Sequence, residues 1–441
     1  MAKLNIKKVS NEFTHEGTKT PLINPELQLR RSVMSCLLWE NSFYESGVSI
    51  ADRITQLVHA NKPYVVAQMA VEARTKMKLR HVPLLLCREL ARHKNCRDIK
   101  LNETIEQVIQ RADELAEFLA IYWKDGKTPI SKQIKLGLAK AFNKFSAYDL
   151  AKYNRDESVK LRDVLFLCHA NPKDDEQSET WKQLINGTLP IPDTWEVALS
   201  AGKDKKETWE RLIKENRLGA LAFLRNLRNM KDVNIDTTIL NEGFNKIKTD
   251  RILPYRFVTA ARHAPQWEDK IENVMMKCLE SQEKLKGKTI LLIDVSGSMD
   301  NMISGKSEIT RIDAACGLGI LCREICENIS VYTFSDELCL VPSRHGFALR
   351  DAINQSQGHH GTQLGGALKA INEQYDRIIV ITDEQCSDVV PSPKGLGYVI
   401  NIAPYKNGVG YGAWTHIDGF SESVINYIIE SEKLNALPTK S

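Results

Sequence analysis

No apolar run in the 441 residues approaches the roughly 18 that a membrane-crossing helix needs, so no membrane partner is expected. The opening residues, Met1 to Lys8, carry charge but no hydrophobic stretch behind them, so no secretory leader is expected either. The ten cysteines are scattered, without the density of a disulfide scaffold. They are expected to be reduced and buried, in a cytoplasmic compartment. Cys322 and Cys326 stand four apart on an apolar helix, with no second Cys/His pair at zinc spacing, and read as core. Asn186-Gly187-Thr188 matches a glycosylation pattern that no leader delivers to the right compartment. Phosphate-binding loops are absent as well. Gly305-Lys306-Ser307 has Asp300 where the first glycine belongs, and Gly287-Lys288-Thr289 has Gln282 there and runs into a strand rather than a helix. No nucleophile–base pair stands out by spacing. These absences argue against nucleotide hydrolysis, and the chain is expected not to be an enzyme.

What the sequence does have is the composition of a folded protein, 42% hydrophobic and 26% charged, with length for two or three domains. The net charge of +4 hides an asymmetry. Residues 1–287 hold 48 basic against 38 acidic side chains; residues 288–441 hold 12 against 18. Residues 51–100 alone hold 11 basic and 4 acidic. A basic part joined to an acidic one suggests two tasks. The basic part suits a polyanion, because each cation that neutralises a phosphate releases a counterion; a solvated helix surface is the alternative.

The hydrophobic period changes at the same place. Ile105, Val108, Ile109, Ala112, Leu115, Ala116 and Leu119 follow the i, i+3, i+4, i+7 rule of an amphipathic helix. Ser131 to Phe145 and Val159 to His169 repeat it, as do runs at about 26–39, 62–78, 81–93, 207–228 and 267–285. A dozen or so short helices predict stacked helical pairs, an α-solenoid, with an irregular bundle as the alternative. After residue 287 the pattern alternates. Strands are predicted at 289–294, 329–334, 377–382 and 397–402, and helices at 309–327, 366–373 and 421–430. That order predicts a doubly wound α/β sheet, whose ligands sit at the carboxyl ends of strands.

At the end of the first such strand stands Asp294-Val295-Ser296-Gly297-Ser298-Met299. Three oxygen-bearing side chains at alternate positions of a tight turn can converge on one hard cation. Gly361-Thr362 offers a further hydroxyl before a helix, and Thr382-Asp383-Glu384 a second carboxylate after a later strand. Two carboxylates and three hydroxyls suit Mg²⁺ better than Ca²⁺ or Zn²⁺. The candidate metal ligands are thus Asp294, Ser296, Ser298, Thr362 and Asp383. The set resembles the metal-ion-dependent adhesion site of von Willebrand factor A domains, which implies an ion able to accept a partner's carboxylate.

Cations cluster locally in the basic part. Arg74 to Pro83 packs four of them with His81; Lys132, Lys135, Lys140 and Lys144 align on one helix; Lys152-Tyr153-Asn154-Arg155 precedes the run Val159 to Pro172. Together with Gln28 to Arg31, Ala139 to Asn143 and Leu253 to Phe257, these segments resemble the TROVE module of the Ro RNA-binding proteins. A von Willebrand A domain following such a module is that family's architecture, and the chain looks like a bacterial or phage-type member. The resemblance spans about 25–435. It implies a ring of HEAT-like helices over 1–287 and an A domain over 288–441. It implies small noncoding Y RNAs on the ring's outer surface and single-stranded ends of misfolded RNAs in its hole. In bacterial relatives it implies a Y RNA tether to the exoribonuclease polynucleotide phosphorylase. By matching position the outer contacts fall on Lys152, Arg155 and His169, while Arg80, His81, Lys132 and Lys135 are assigned to the hole from charge and helix face. No DNA partner is expected, and a monomer is. Two other readings stay open: a Mg²⁺-dependent protein-adhesion module without an RNA role, and a metal-dependent hydrolase.

Overall fold

A computed structural model describes residues 13–20, 23–248, 252, 254–277, 279 and 284–436. Met1 to Lys8, Leu253, and positions 278 and 280–283 of the run at 267–285 lie outside the described residues. Chain contacts divide the molecule into two units, one of residues 51–218 and one of residues 1–50 with 219–441.

Among its described residues, the 51–218 unit is helical. Its helices end where capping chemistry ends them. Ser131 accepts from the Ile134 amide and starts Lys132–Phe142, while Ser146 and Asp149 form a capping box for Ala147–Tyr153. The run at 105–119 is two helices rather than one, Leu101–Val108 and Asp113–Tyr122. The Glu114 carboxylate accepts from the amides of Gln110 and Arg111 (2.8 and 3.1 Å), which starts a new helix where the apolar period continued unbroken. Helices pack on neighbours one or two places along: Pro63–Thr75 on His81–Arg92, Leu101–Val108 on Lys132–Phe142, and Lys132–Phe142 on Leu161–Cys168. Gly137 makes one crossing close, since a Cβ there would stand 2.8 Å from Ile105.

The other unit holds a six-stranded sheet. Its strands are β1 (Leu285–Asp294), β2 (Cys326–Phe334), β3 (Leu338–Leu340), β4 (Arg377–Thr382), β5 (Leu396–Asn401) and β6 (Thr415–Asp418), in the order β3-β2-β1-β4-β5-β6. All neighbours are parallel except the β2–β3 pair. Ile290 to Ile293 and Ile378 to Ile381 are fully buried, as strands covered on both faces require. Strand order reverses between β1 and β4, and the register Ile293↔Ile381 brings Asp294 and Asp383 to the same carboxyl edge. The predicted strands and helices are present here. The periodicity missed β3 and β6, too short to show an alternation, and the helix Gly346–Asn354, whose first residue has φ +51°.

Two features of this unit were not legible in the pattern. The helix Tyr255–His263 packs on Arg311–Ile325 so closely at Gly317 that a Cβ would meet the Tyr255 backbone nitrogen at 2.9 Å. The N-terminal residues also join the sheet unit. Thr14 Oγ1 donates to the Cys386 carbonyl (2.9 Å), the Asn407 side chain donates to the Phe13 carbonyl (3.0 Å), and Arg31 of the helix Pro25–Met34 is fully buried against Glu384.

Candidate metal centre and candidate nucleic-acid interface

The loop after β1 and the loop after β4 converge. Asp294 Oδ1 accepts from the Ser296 amide (2.9 Å) and its Oδ2 from Thr382 Oγ1 (2.5 Å). Ser298 Oγ lies 3.3 Å from Ser296 Oγ and donates to Asp383 Oδ2 at 2.8 Å. The Gly297 amide donates to the His360 carbonyl (3.0 Å), which ties in the loop that carries Thr362, itself 6% exposed. His359 turns away to Asp300 (2.8 Å). The structure therefore brings Asp294, Ser296, Ser298 and Asp383 together, with the Thr362 loop bound beside them.

These donors fit a hard divalent cation. All are oxygens, and the two serine hydroxyls are spaced as neighbours on one small ion would be, about 3 Å apart for oxygens ~2.1 Å from the metal. Burial, then the charge of Asp383, pushes the Asp294 carboxyl up to about 7. Two buried carboxylates side by side are stable as a charged pair only beside positive charge. One cation is already there. Arg311 Nη1 lies 2.8 Å from Asp383 Oδ2, its guanidinium 4.6 Å from the Tyr44 ring centroid and 5.8 Å from that of Phe43. Tyr44 donates its hydroxyl to the same Oδ2 at 2.6 Å. Asp383 Oδ2 thus accepts from Ser298, Arg311 and Tyr44 at once. Neither Tyr44 nor Arg311 carries a sequence signal; both reach the site only through the fold.

All seven candidate RNA-contacting residues lie in the helical unit. The Lys152 ammonium stands 5.8 Å from the Tyr148 ring centroid and 5.7 Å from that of Tyr153, whose ring also receives Arg111 at 4.7 Å. Arg155 is exposed on the following loop. His169 is exposed and caps Leu161–Cys168 in the left-handed conformation, φ +53°, which few non-glycine residues adopt. The helices carrying Lys152 and preceding His169 both pack on Asp175–Asn186. Lys135 lies near that same helix end: burial raises the Cys168 thiol to about 11, and the Lys135 charge opposes the rise. Lys132 is exposed at the first turn of its helix. Arg80 and His81 are differently placed. Arg80 pairs with Asp113 and Glu117 on the neighbouring helix, and His81 Nε2 lies 3.5 Å from Glu117. Sequence reasoning missed Tyr148, whose ring lies beside Lys152, and Arg111, whose guanidinium lies over the Tyr153 ring.

Residues 186–291 match the family model described as the TROVE domain. A search of curated proteins returns no match. Among solved structures, the chain is similar to the crystal structure of the Ro (Rsr) protein of Deinococcus radiodurans, with a TM-score of 0.61 and 16% sequence identity over 90% of this chain and 97% of that one. Among the described residues no helix is long and apolar enough to cross a membrane. The helical part and the sheet with its reversed strand order agree with that likeness: the chain has the fold of a Ro protein, and residues 186–291 match the TROVE domain.

Proposed function

We propose that this chain is an RNA-binding scaffold of the Ro type, without chemistry of its own, acting in RNA quality control in the cytoplasm. The TROVE match at 186–291 carries the reading. The charge of the helical unit supports it, with 30 basic against 24 acidic side chains over residues 51–218. In this reading residues 1–287 form a closed TROVE ring and 288–441 a von Willebrand A domain. Lys152, Arg155 and His169 take a small noncoding Y RNA on the outer surface, with Tyr148 and Tyr153 offering ring faces. Lys132 and Lys135, with Arg80 and His81, serve a single strand in the hole. A bound Y RNA would then tether an exoribonuclease such as polynucleotide phosphorylase. Phosphate contacts give affinity that falls with salt, and unstacked bases give selection of single-stranded or exposed segments.

The test is the triple variant Lys152→Ala, Arg155→Ala, His169→Ala. We expect RNA affinity about 30- to 100-fold lower in filter binding, at unchanged circular dichroism, with a shallower dependence on salt. A folded triple variant with wild-type affinity would remove these residues from the interface.

The same reading places Mg²⁺ among Asp294, Ser296, Ser298, Thr362 and Asp383, where it would balance two buried carboxylates and order the three loops. Asp294→Ala should abolish Mg²⁺ binding in calorimetry and leave RNA affinity within about twofold, because it alters none of the seven cationic residues. Metal-dependent RNA cleavage by the wild type, lost in this variant, would instead establish the hydrolase reading.

A further inference from the structure

The helical unit contains a cleft of about 380 Å³ that none of the residues above enters. Its walls are the turn between the helix Gly47–Ala60 and the helix Pro63–Thr75, and the turn after His81–Arg92. The two turns are pinned together. The buried His93 accepts the Asn95 amide on Nδ1 (3.0 Å), so its Nε2 carries the proton and donates to the Asn61 carbonyl at 3.2 Å. The His93 ring lies parallel to that of His59 and offset from it, centroids 5.7 Å apart and planes 2° from parallel. His59 is held in turn by the buried Glu89, 3.2 Å from its Nε2. His59 is thus a flat ring fixed in orientation, yet its side chain remains 40% exposed.

The remaining lining is as informative. Tyr64 is 53% exposed, and Lys62 stands 6.0 Å from its ring centroid. Lys94 lines the opposite turn and, among the described residues, meets no carboxylate. Asp98 is the one acid lining the cleft. Two accessible rings, two cations and a carboxylate around a space of this size match the parts of one ribonucleotide: a flat base, a phosphate and a sugar hydroxyl.

We propose that this cleft binds a single unpaired nucleotide of an RNA strand. The base lies against His59 or Tyr64, Lys62 and Lys94 meet the phosphate, and Asp98 accepts from the ribose 2′-hydroxyl. The proposal rests on the RNA-binding reading and adds a subsite to it, apart from Lys152, Arg155 and His169. It does not need a particular sequence, because every base has a face to stack.

The test uses the full chain and an oligouridine octamer. Ultraviolet crosslinking followed by peptide mass spectrometry should place a crosslink on the peptide carrying His59 and Tyr64. Tyr64→Ala should weaken octamer binding about tenfold, and Tyr64→Phe, which keeps the ring, less than twofold. Lys62→Ala with Lys94→Ala should lower the slope of log affinity against log salt by about 1.4. An octadeoxyuridine should bind several-fold more weakly. Crosslinks confined to residues 148–169, or wild-type affinity in Tyr64→Ala, would overturn the cleft and leave the RNA reading standing. A wild-type chain that binds neither the octamer nor structured RNA would overturn both.

Discussion

Replacing Arg31 by Ala is expected to lower stability by about 3–5 kcal/mol, the largest effect of any single substitution considered for this molecule. The guanidinium is fully buried. It pairs with Glu384, donates from Nε to the Tyr405 carbonyl (2.6 Å) and donates from Nη2 to the Asn407 carbonyl (3.1 Å). Burial alone would lower its pKa, but Glu384 outweighs that and holds it charged. Truncation removes the fork and leaves the Glu384 carboxylate beneath the sheet edge with His416 as its remaining neighbour of opposite charge. Glu384 already holds an uncommon backbone, φ +61°, so it has little freedom to swing toward water. Arg31→Lys keeps the charge but cannot supply the fork, and should recover less than half of the loss. The measurement is the urea midpoint at constant slope. A loss under about 1 kcal/mol would mean that the cluster is solvated in solution and does not hold the N-terminal helix on the sheet.

The second large effect is a loss of stability in mild alkali. His416 is buried between Glu384 and Asp418, 3.4 Å from the latter, with the Tyr411 ring stacked at 4.1 Å and Arg31 nearby at 3.2 Å. Burial would lower its pKa; Glu384 and Asp418 overcome that and raise it from 6.5 to about 9. A group whose folded pKa is raised stabilises fully below its unfolded pKa. The contribution is therefore whole below pH 6.5 and gone above pH 9, amounting to at most about 3 kcal/mol. Asp418 works in the opposite direction. Burial would raise it, but His416 and Arg31 hold it below its ordinary 3.8, so its share is present above that value and lost in acid. These two groups together give a contribution that is level between about pH 4 and 6.5 and declines toward pH 9, on top of the fall between about pH 4 and 7 that the raised Asp294 carboxyl adds. His416→Gln should flatten the alkaline limb while lowering the plateau. An unchanged decline in that variant would assign the alkaline loss to other groups.

Particular residues show how much of this was legible. Ile290 to Asp294 and Ile378 to Thr382 read as buried strands because both faces are covered, and they are. Asp294, Ser296, Ser298 and Asp383 could be named together because strand ends in a parallel sheet share an edge. The helix after Ser131 was legible because its cap and its apolar stripe agree. The break at Gln110 was not, since a single carboxylate, Glu114, captures two amides and overrides a continuous period. Arg80 and His81 drew attention by charge and helix face, and neither reveals that Asp113 and Glu117 lie beside them in the fold.

Local chemistry therefore determined, from the sequence by itself, the four long strands and many of the helices, and which oxygens meet at the sheet's edge. Period, caps and β-branched runs act over a few residues, and the chain order carries them intact. Tertiary structure alone decided that Arg31 and Tyr44 join residues more than 300 positions away, that Arg311 sits on the Asp383 carboxylate, and that His59 and His93 build one wall of a cleft. Those pairings are set by burial and electrostatics between side chains that the sequence separates, and no local pattern encodes a partner so far along the chain.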